Sequence, residues 1–320
     1  MDLAELNKQV DEIPFGFLRA QSRLRYAKRW ASNRWYQGDS LVHYTNLGGL
    51  LGIVQSGGVW LSDHRFLNDS AEYEDGRRLT IALLRRLASR RKSRFVNVLG
   101  HAADVLERQA EPRYFVCSFT TEPDSLEQWR AYAPGTQGVA VVFGYGSNRH
   151  GLGHFHMLPI LLVEAVIYSQ AEKLQRLCWK IGAYAREHRI DAAAGRVSRD
   201  GDWGESLARH LSVDFLLFKD PAYNTEREVR LIVSEVMLHH FPSGVHHRRS
   251  GARLIPYLRT SDLYEDETFV KWAGDRLPIT EVKLSPTATD PATERSIRTF
   301  LRDSGYLDAT VTRSSVPFRG

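Results

Sequence analysis

The chain has 320 residues, 42% of them hydrophobic and 25% charged, with a formal net charge of +5; this is the composition of a folded protein that buries a core. No window approaches ~18 consecutive apolar residues, and the start MDLAELNKQVDEIP has no basic segment leading into an apolar run, so neither a membrane span nor a secretory signal is supported and a cytoplasmic location is the expectation. Cys117 and Cys178 sit in no C-x-x-C or other ligand spacing, against both a disulfide framework and a structural zinc site.

Residues 1–38 read as a helical N-terminal leader, with Arg19, Arg23, Arg25, Lys28, Arg29 and Arg34 uninterrupted by any acid over 19–34. In LVHYTNLGGLLGIVQSGGVWLSDHRFLNDSAEYE, residues 41–74, a strand ends in His43-Tyr44-Thr45. A helix then carries Leu47, Leu50, Leu51 and Val54 at helical spacing and stops at Gly57-Gly58, and a second strand runs into a polar turn. Helices are predicted over about 70–91 and 94–110. Arg77, Arg78, Arg85, Arg86, Arg90, Arg91, Lys92 and Arg94 form a second acid-free basic run, 77–94. Two such faces could lie along a phosphate backbone, or serve only as solvated helix surfaces.

RYFVCSFTTEPDSLEQWRAYAPGTQGVAVVF reads as strand, loop, short helix, a turn at Pro134-Gly135, and strand. MLPILLVEAVIYS is rich in strand formers, QAEKLQRLCWKIGAYAREH is a helix, and a further helix lies near 204–218 after a loop. In EREVRLIVSEV, Val229, Leu231 and Val233 alternate with Glu228, Arg230 and Ile232, a strand buried partly on both faces. The tail adds strands RLIPYLRT and ITEVKLSP, helix DPATERSIRTFLRDSGY and strand ATVTRSSVPFR. Short strands with uneven helices between them imply an α+β fold. No repeat or linker divides the chain, so 39–320 reads as one domain with helical insertions near 70–110 and 170–218. No G-x-G-x-x-G follows a strand and no P-loop exists, so neither nucleotide fold finds support.

Three segments offer chemistry. At His43-Tyr44-Thr45 the imidazole could hold a ribose hydroxyl or an amide and the tyrosine could stack; alternatively, Thr45 simply caps a helix starting at Asn46. In Cys117-Ser118-Phe119-Thr120-Thr121, Ser118 and Thr120 point to one side of a strand and Phe119 to the other; Trp129, Tyr132, Gly135 and Gly138 downstream read as packing. The segment from Lys219 to Arg230 contains Tyr223 and places Glu226 and Glu228 two apart, on one face of a strand, with Arg230 continuing the row. In a cleft one carboxylate could stabilise an oxocarbenium-like ribose while the other orients the attacking group. Asp69, Glu72 and Glu74 with His64 offer a looser set for a metal-dependent nuclease.

The ordered blocks H-Y-T, W-L-S, N-D, S-F-T, W-x-x-Y-A, G-V-A-V-V-F, E-R-E-V-R-L-I and S-S-V-P-F-R resemble a widespread bacterial family of unknown function. Its opening block is similar to the first strand of ADP-ribosyltransferase-like folds. That resemblance implies a pair of small sheets flanking a cleft, surrounded by inserted helices, with NAD as substrate and no metal. His43 would contact the nicotinamide ribose, with Glu228 as catalytic glutamate and Glu226 positioning the acceptor. Tyr44, Thr45, Ser118, Thr120, Tyr223 and Arg230 would line the NAD site. The implied activity is mono-ADP-ribosyl transfer or NAD glycohydrolysis by a bacterial toxin or phage-defence effector. A nucleic-acid acceptor could be held by the basic helices at 19–34 and 77–94, and an antitoxin or defence-system partner is expected, but no membrane. The alternative is a non-catalytic RNA- or nucleotide-binding module.

Overall fold

The computed structural model describes residues 40–67, 71–90, 95–144, 162–196, 199–262 and 276–317. The leader at 1–38 with its basic run, Asp69, and Arg91, Lys92 and Arg94 of the second run lie outside the described residues. In chain order the first elements are β1 (Ser40–Asn46), α1 (Leu47–Ser56), β2 (Trp60–Asp63), α2 (Ala71–Arg90), α3 (Phe95–Arg108) and β3 (Tyr114–Thr120). Next come α4 (Leu126–Tyr132), β4 (Gly138–Gly144), β5 (Leu162–Ala165), α5 (Gln170–Ala193), α6 (Asp200–Phe215) and β6 (Glu228–Ser234). The last are β7 (His246–Ser250), β8 (Arg253–Arg259), β9 (Ile279–Leu284), α7 (Pro291–Asp303) and β10 (Thr310–Arg313). No helix among the described residues is long and apolar enough to cross a membrane.

The chain divides into two compact units, one of which takes in Asn68–Pro112 and Val166–Tyr223, and with them the helical insertions expected near 70–110 and 170–218. That unit is built from α2, α3, α5 and α6. On α3, Phe95, Val98, Leu99, Ala102, Ala103 and Leu106 are buried, the three- and four-residue spacing of a single core-facing stripe. Gly76 of α2 meets Phe215 of α6 so closely that an added Cβ would lie 3.0 Å from it. Fully buried Asp214 receives Arg176 Nε at 2.8 Å and Lys180 Nζ at 2.7 Å. Arg77, Arg78 and Arg85 of the second basic run have carboxylate partners within the same unit. Arg77 and Arg78 pair with Glu74, while Arg85 pairs with Asp104 at 2.6 Å and Glu107 at 2.8 Å. What reads as an acid-free run is thus balanced by acids one turn before it and on the neighbouring helix.

The second unit holds a sheet whose main path runs β10-β9-β4-β1-β3-β2-β8-β7, with β6 paired to β3 and β5 to β6. Side chains alternate between its faces. On one face Leu41, Phe115, Cys117, Phe119, Val141, Val229, Leu231 and Val233 join Leu50 and Ile53 of α1 and Ile297 and Leu301 of α7. On the other, Val42, Tyr44, Ala140 and Val142 pack with Trp129 and Ala133. The fold class is α+β, as expected, but the described strands form one ten-stranded sheet and not two small ones. The edge strand β7 has no counterpart in the sequence reading, since His246-His247-Arg248-Arg249-Ser250 has too few apolar residues to register as a strand.

Candidate functional site

The sheet forks at β3. One edge of β3 is paired along its whole length with β6, from Tyr114↔Ser234 to Thr120↔Glu228. The other edge is shared: β1 reaches it only at Val42↔Thr120, and β2 only at Ser62↔Val116 and Asp63↔Phe115. Between these contacts no described strand lies beside Cys117, Ser118 and Phe119 on that edge. Among the described strands, β1 pairs from His43 onward with β4 alone. Asp63 fixes the β2 side of the fork, since this fully buried carboxylate accepts from Arg65 Nη2 at 2.7 Å and from Arg113 Nε, just before β3, at 2.7 Å. Burial alone would raise its pKa, but the hydrogen bonds from Arg65 and Arg113 outweigh that and hold the carboxyl below its ordinary range.

His43 stands in the fork. Its Nδ1 lies 2.9 Å from the Ser118 carbonyl oxygen; a carbonyl can only accept, so Nδ1 carries the hydrogen and neutral His43 presents Nε2 as a bare lone pair. The ring stands edge-on to Phe119, and Cys117 Sγ is 4.0 Å from Nδ1. Burial lowers the pKa of His43, the Ser118 bond works the other way, and the charge of Arg248 lowers it further. Arg248 comes from β7, and its Nη2 donates to Ser62 Oγ at 3.0 Å. Among the described residues no carboxylate forms an ion pair with Arg248, and burial lowers its pKa. Cys117, also influenced by Arg248, is pushed up to about 12 by burial, which makes it an inert thiol. Trp60 and Tyr257, stacked at 4.7 Å and 27°, share with Ser62 and Val116 the sheet face opposite to that of His43.

The remaining expected residues lie elsewhere. Thr120↔Glu228 and Ser118↔Arg230 are register partners, so these four share a face. That face is opposite to the one carrying His43, whose register partner is Val141 and whose neighbour is Phe119. The structure therefore separates His43 from Glu228 by the thickness of the sheet. Buried Glu228 is clamped by Arg230, with Nε–Oε1 at 2.7 Å and Nη2–Oε2 at 3.0 Å, a bidentate pair.

Glu226 does not continue the Glu228 row as expected. It belongs to a short 3-10 segment, Pro221–Glu226, and Arg227 between the two glutamates has φ 44°, so the strand alternation begins only at Glu228. Glu226 instead offers its carbonyl oxygen to Thr120 Oγ1 at 2.6 Å. The hydroxyl of Tyr44 donates to Glu122 O at 3.0 Å and accepts from Ser125 N at 2.9 Å, with the ring edge-on to Trp129. It secures a loop and is not a stacking face. The helix cap is Asn46 and not Thr45: its side chain accepts from Gly49 N at 2.9 Å, and the helix starts at Leu47. Tyr223 falls in the helical unit, exposed, with the Lys219 ammonium 5.0 Å from its ring centroid.

For the nuclease set, His64 Nδ1 lies 3.2 Å from the Tyr114 carbonyl oxygen and Glu74 is paired with Arg77 and Arg78. Among the described residues no group of three or more His, Cys, Asp or Glu is arranged to hold a metal ion. A cavity of about 510 Å³ lies near Ser285, Pro291, Glu294 and Arg313. Its cation is already paired with Glu294 and bonded to the Ala288 and Asp290 carbonyls, so the chemistry favours the fork. Arg248 is the residue that the sequence reading missed. The signal was there: no Asp or Glu occurs between Glu235 and Asp262.

Residues 128–231 match the model of a family described as "Protein of unknown function (DUF2971)". The match covers the W-x-x-Y-A and G-V-A-V-V-F blocks and nearly all of E-R-E-V-R-L-I, so the expected resemblance to a family of unknown function is met over this part of the chain. The H-Y-T, S-F-T and S-S-V-P-F-R blocks lie outside it. No curated protein and no solved structure matches the chain.

Proposed function

We propose that the protein is a nucleotide-binding module, with the fork as its site and NAD as the first ligand to try. The observation that carries this reading is Arg248, a partly buried guanidinium directed at Ser62 with no carboxylate pairing it among the described residues. A cation withdrawn from water without a counter-ion costs free energy that a bound phosphate would return, through charge-assisted hydrogen bonds. The stacked Trp60–Tyr257 pair lies on the same sheet face as Arg248 and adds an aromatic wall beside the cation. NAD offers both phosphates and rings that stack.

A second reading, ADP-ribosyl transfer or NAD hydrolysis through Glu228, draws support from the in-register Thr120–Glu228 and Ser118–Arg230 pairs. Against it stand the Arg230 clamp and the sheet between Glu228 and His43. Titration of NAD into the protein, followed by assay for free nicotinamide, separates the two. On the binding reading, Arg248→Ala weakens NAD by at least about tenfold, the loss of a charged hydrogen bond. Glu228→Gln leaves affinity unchanged, and NAD stays intact. NAD affinity indifferent to Arg248→Ala would sink the fork as the site, and nicotinamide release abolished by Glu228→Gln would establish the transferase reading.

A further inference from the structure

We infer that the fork receives one nucleotide of a single-stranded nucleic acid, whose flanking phosphate is held by Arg253 at the tip of the β7–β8 hairpin; this rests on the nucleotide-binding reading of the fork. Between Glu235 and Asp262 the chain carries Arg248, Arg249, Arg253 and Arg259 with His239, His240, His246 and His247, and no acid. Asp262 is already committed, since His246 Nε2 reaches it at 2.7 Å and Arg259 Nη2 at 2.8 Å. No ion pair to a carboxylate holds Arg249 or Arg253 among the described residues. Both are exposed, and Arg249 Nε donates to the Gly251 carbonyl at 3.1 Å, which fixes its guanidinium at the turn.

The register gives this charge a direction. Arg248 pairs with Ile255, and Ser250, two residues on, pairs with Arg253. Positions two apart on a strand and register partners across it share a face, so Arg253 continues outward the row that Arg248 begins in the fork. The step along the strand is about 6.8 Å, which two long arginine side chains can match to successive phosphates. Tyr257 lies on the same face, two residues from Ile255, stacked on half-buried Trp60. An aromatic wall beside a track of cations suits an unpaired base with its backbone, whereas a duplex keeps its bases stacked inside.

The test uses the full chain with UMP, NAD, an oligo-uridylate of about ten nucleotides and a duplex of similar length, over a salt series. The oligomer is expected to bind at least about tenfold more tightly than UMP at low salt. In Arg253→Ala the slope of log K against log salt should shrink by about 0.7, the value for one released single-strand phosphate, while UMP affinity stays unchanged; Arg249→Ala, on the opposite face, should change the slope less. The substituted side chains are exposed, so folding is not at issue. An oligomer bound no better than UMP, a slope unmoved in Arg253→Ala, or a duplex bound as well as the single strand overturns this inference and leaves the fork reading standing. Failure of UMP, NAD and oligomer alike overturns both.

Discussion

Glu228 and Arg230 are spaced two apart on a strand, which the sequence shows directly, and such a pair can be either a cleft wall or an internal clamp. The structure makes it a clamp, with both side chains buried and two hydrogen bonds between them. Removing one partner of a buried pair leaves an uncompensated charge, so Glu228→Gln should lower stability by roughly 3 kcal/mol in urea denaturation, whereas the apolar double variant Glu228→Leu/Arg230→Met should recover most of the loss. A single variant as stable as the wild type would return the carboxylate to the list of candidates for chemistry. The neighbouring Glu226 shows why side-chain parity is readable only inside a strand. The positive φ of Arg227 breaks the alternation, and nothing in the letters Glu-Arg-Glu announces a left-handed arginine. His43 was legible as a polar group at a strand end. Arg248 was not, because it comes from a strand too charged to look like one.

The hand-over from β1 to α1 depends on a close approach. Thr45 and Gly49 sit so near one another that a Cβ added at Gly49 would lie 2.0 Å from Thr45 Oγ1 and 3.1 Å from its Cβ. Alanine is the better helix former by about 1 kcal/mol, yet Gly49→Ala should lower the melting temperature. Thr45→Ala/Gly49→Ala should restore it, a coupling that a double-mutant cycle reads directly; additive effects would show that the helix has room to move. A second element-scale link was visible in sequence only as an unexplained motif. Asp124 accepts from Trp129 Nε1 at 2.8 Å, Ser314 Oγ at 2.6 Å and Ser315 N at 2.8 Å, so the Ser-Ser of the C-terminal block serves to tie that segment to the loop after β3. Apart from β7, helices, strands and their order came through from periodicity and turn residues. The sharing of one β3 edge by two strands did not, because it is a property of pairing at long range.

At the scale of the whole molecule, net charge is a poor guide to where charge is free. The helical arginines at 77, 78 and 85 are balanced within their own unit, whereas Arg248, Arg249 and Arg253, from the acid-free stretch before Asp262, form no ion pair with a carboxylate among the described residues. Titration of the buried groups sets the dependence of stability on pH. His43 is held below its ordinary pKa, first by burial and then by Arg248. In Asp124, burial pushes upward but the bonds from Ser314, Trp129 and Ser315 win, leaving the carboxyl lowered, as in Asp63. A group whose folded pKa is depressed binds its proton more readily when unfolded, so each contributes stability that is present above the unfolded pKa and lost as pH falls towards the folded one. The unfolding midpoint in urea should therefore hold between about pH 8 and 6.5, decline below about 6.5 as unfolded histidine takes up its proton, and fall more steeply below about 4 as the unfolded carboxylates do. His43→Asn cannot titrate there and should flatten the upper step while leaving the acid limb intact. An upper step of undiminished size in that variant would place its origin in another histidine and detach His43 from the buried, neutral role that the fork requires of it.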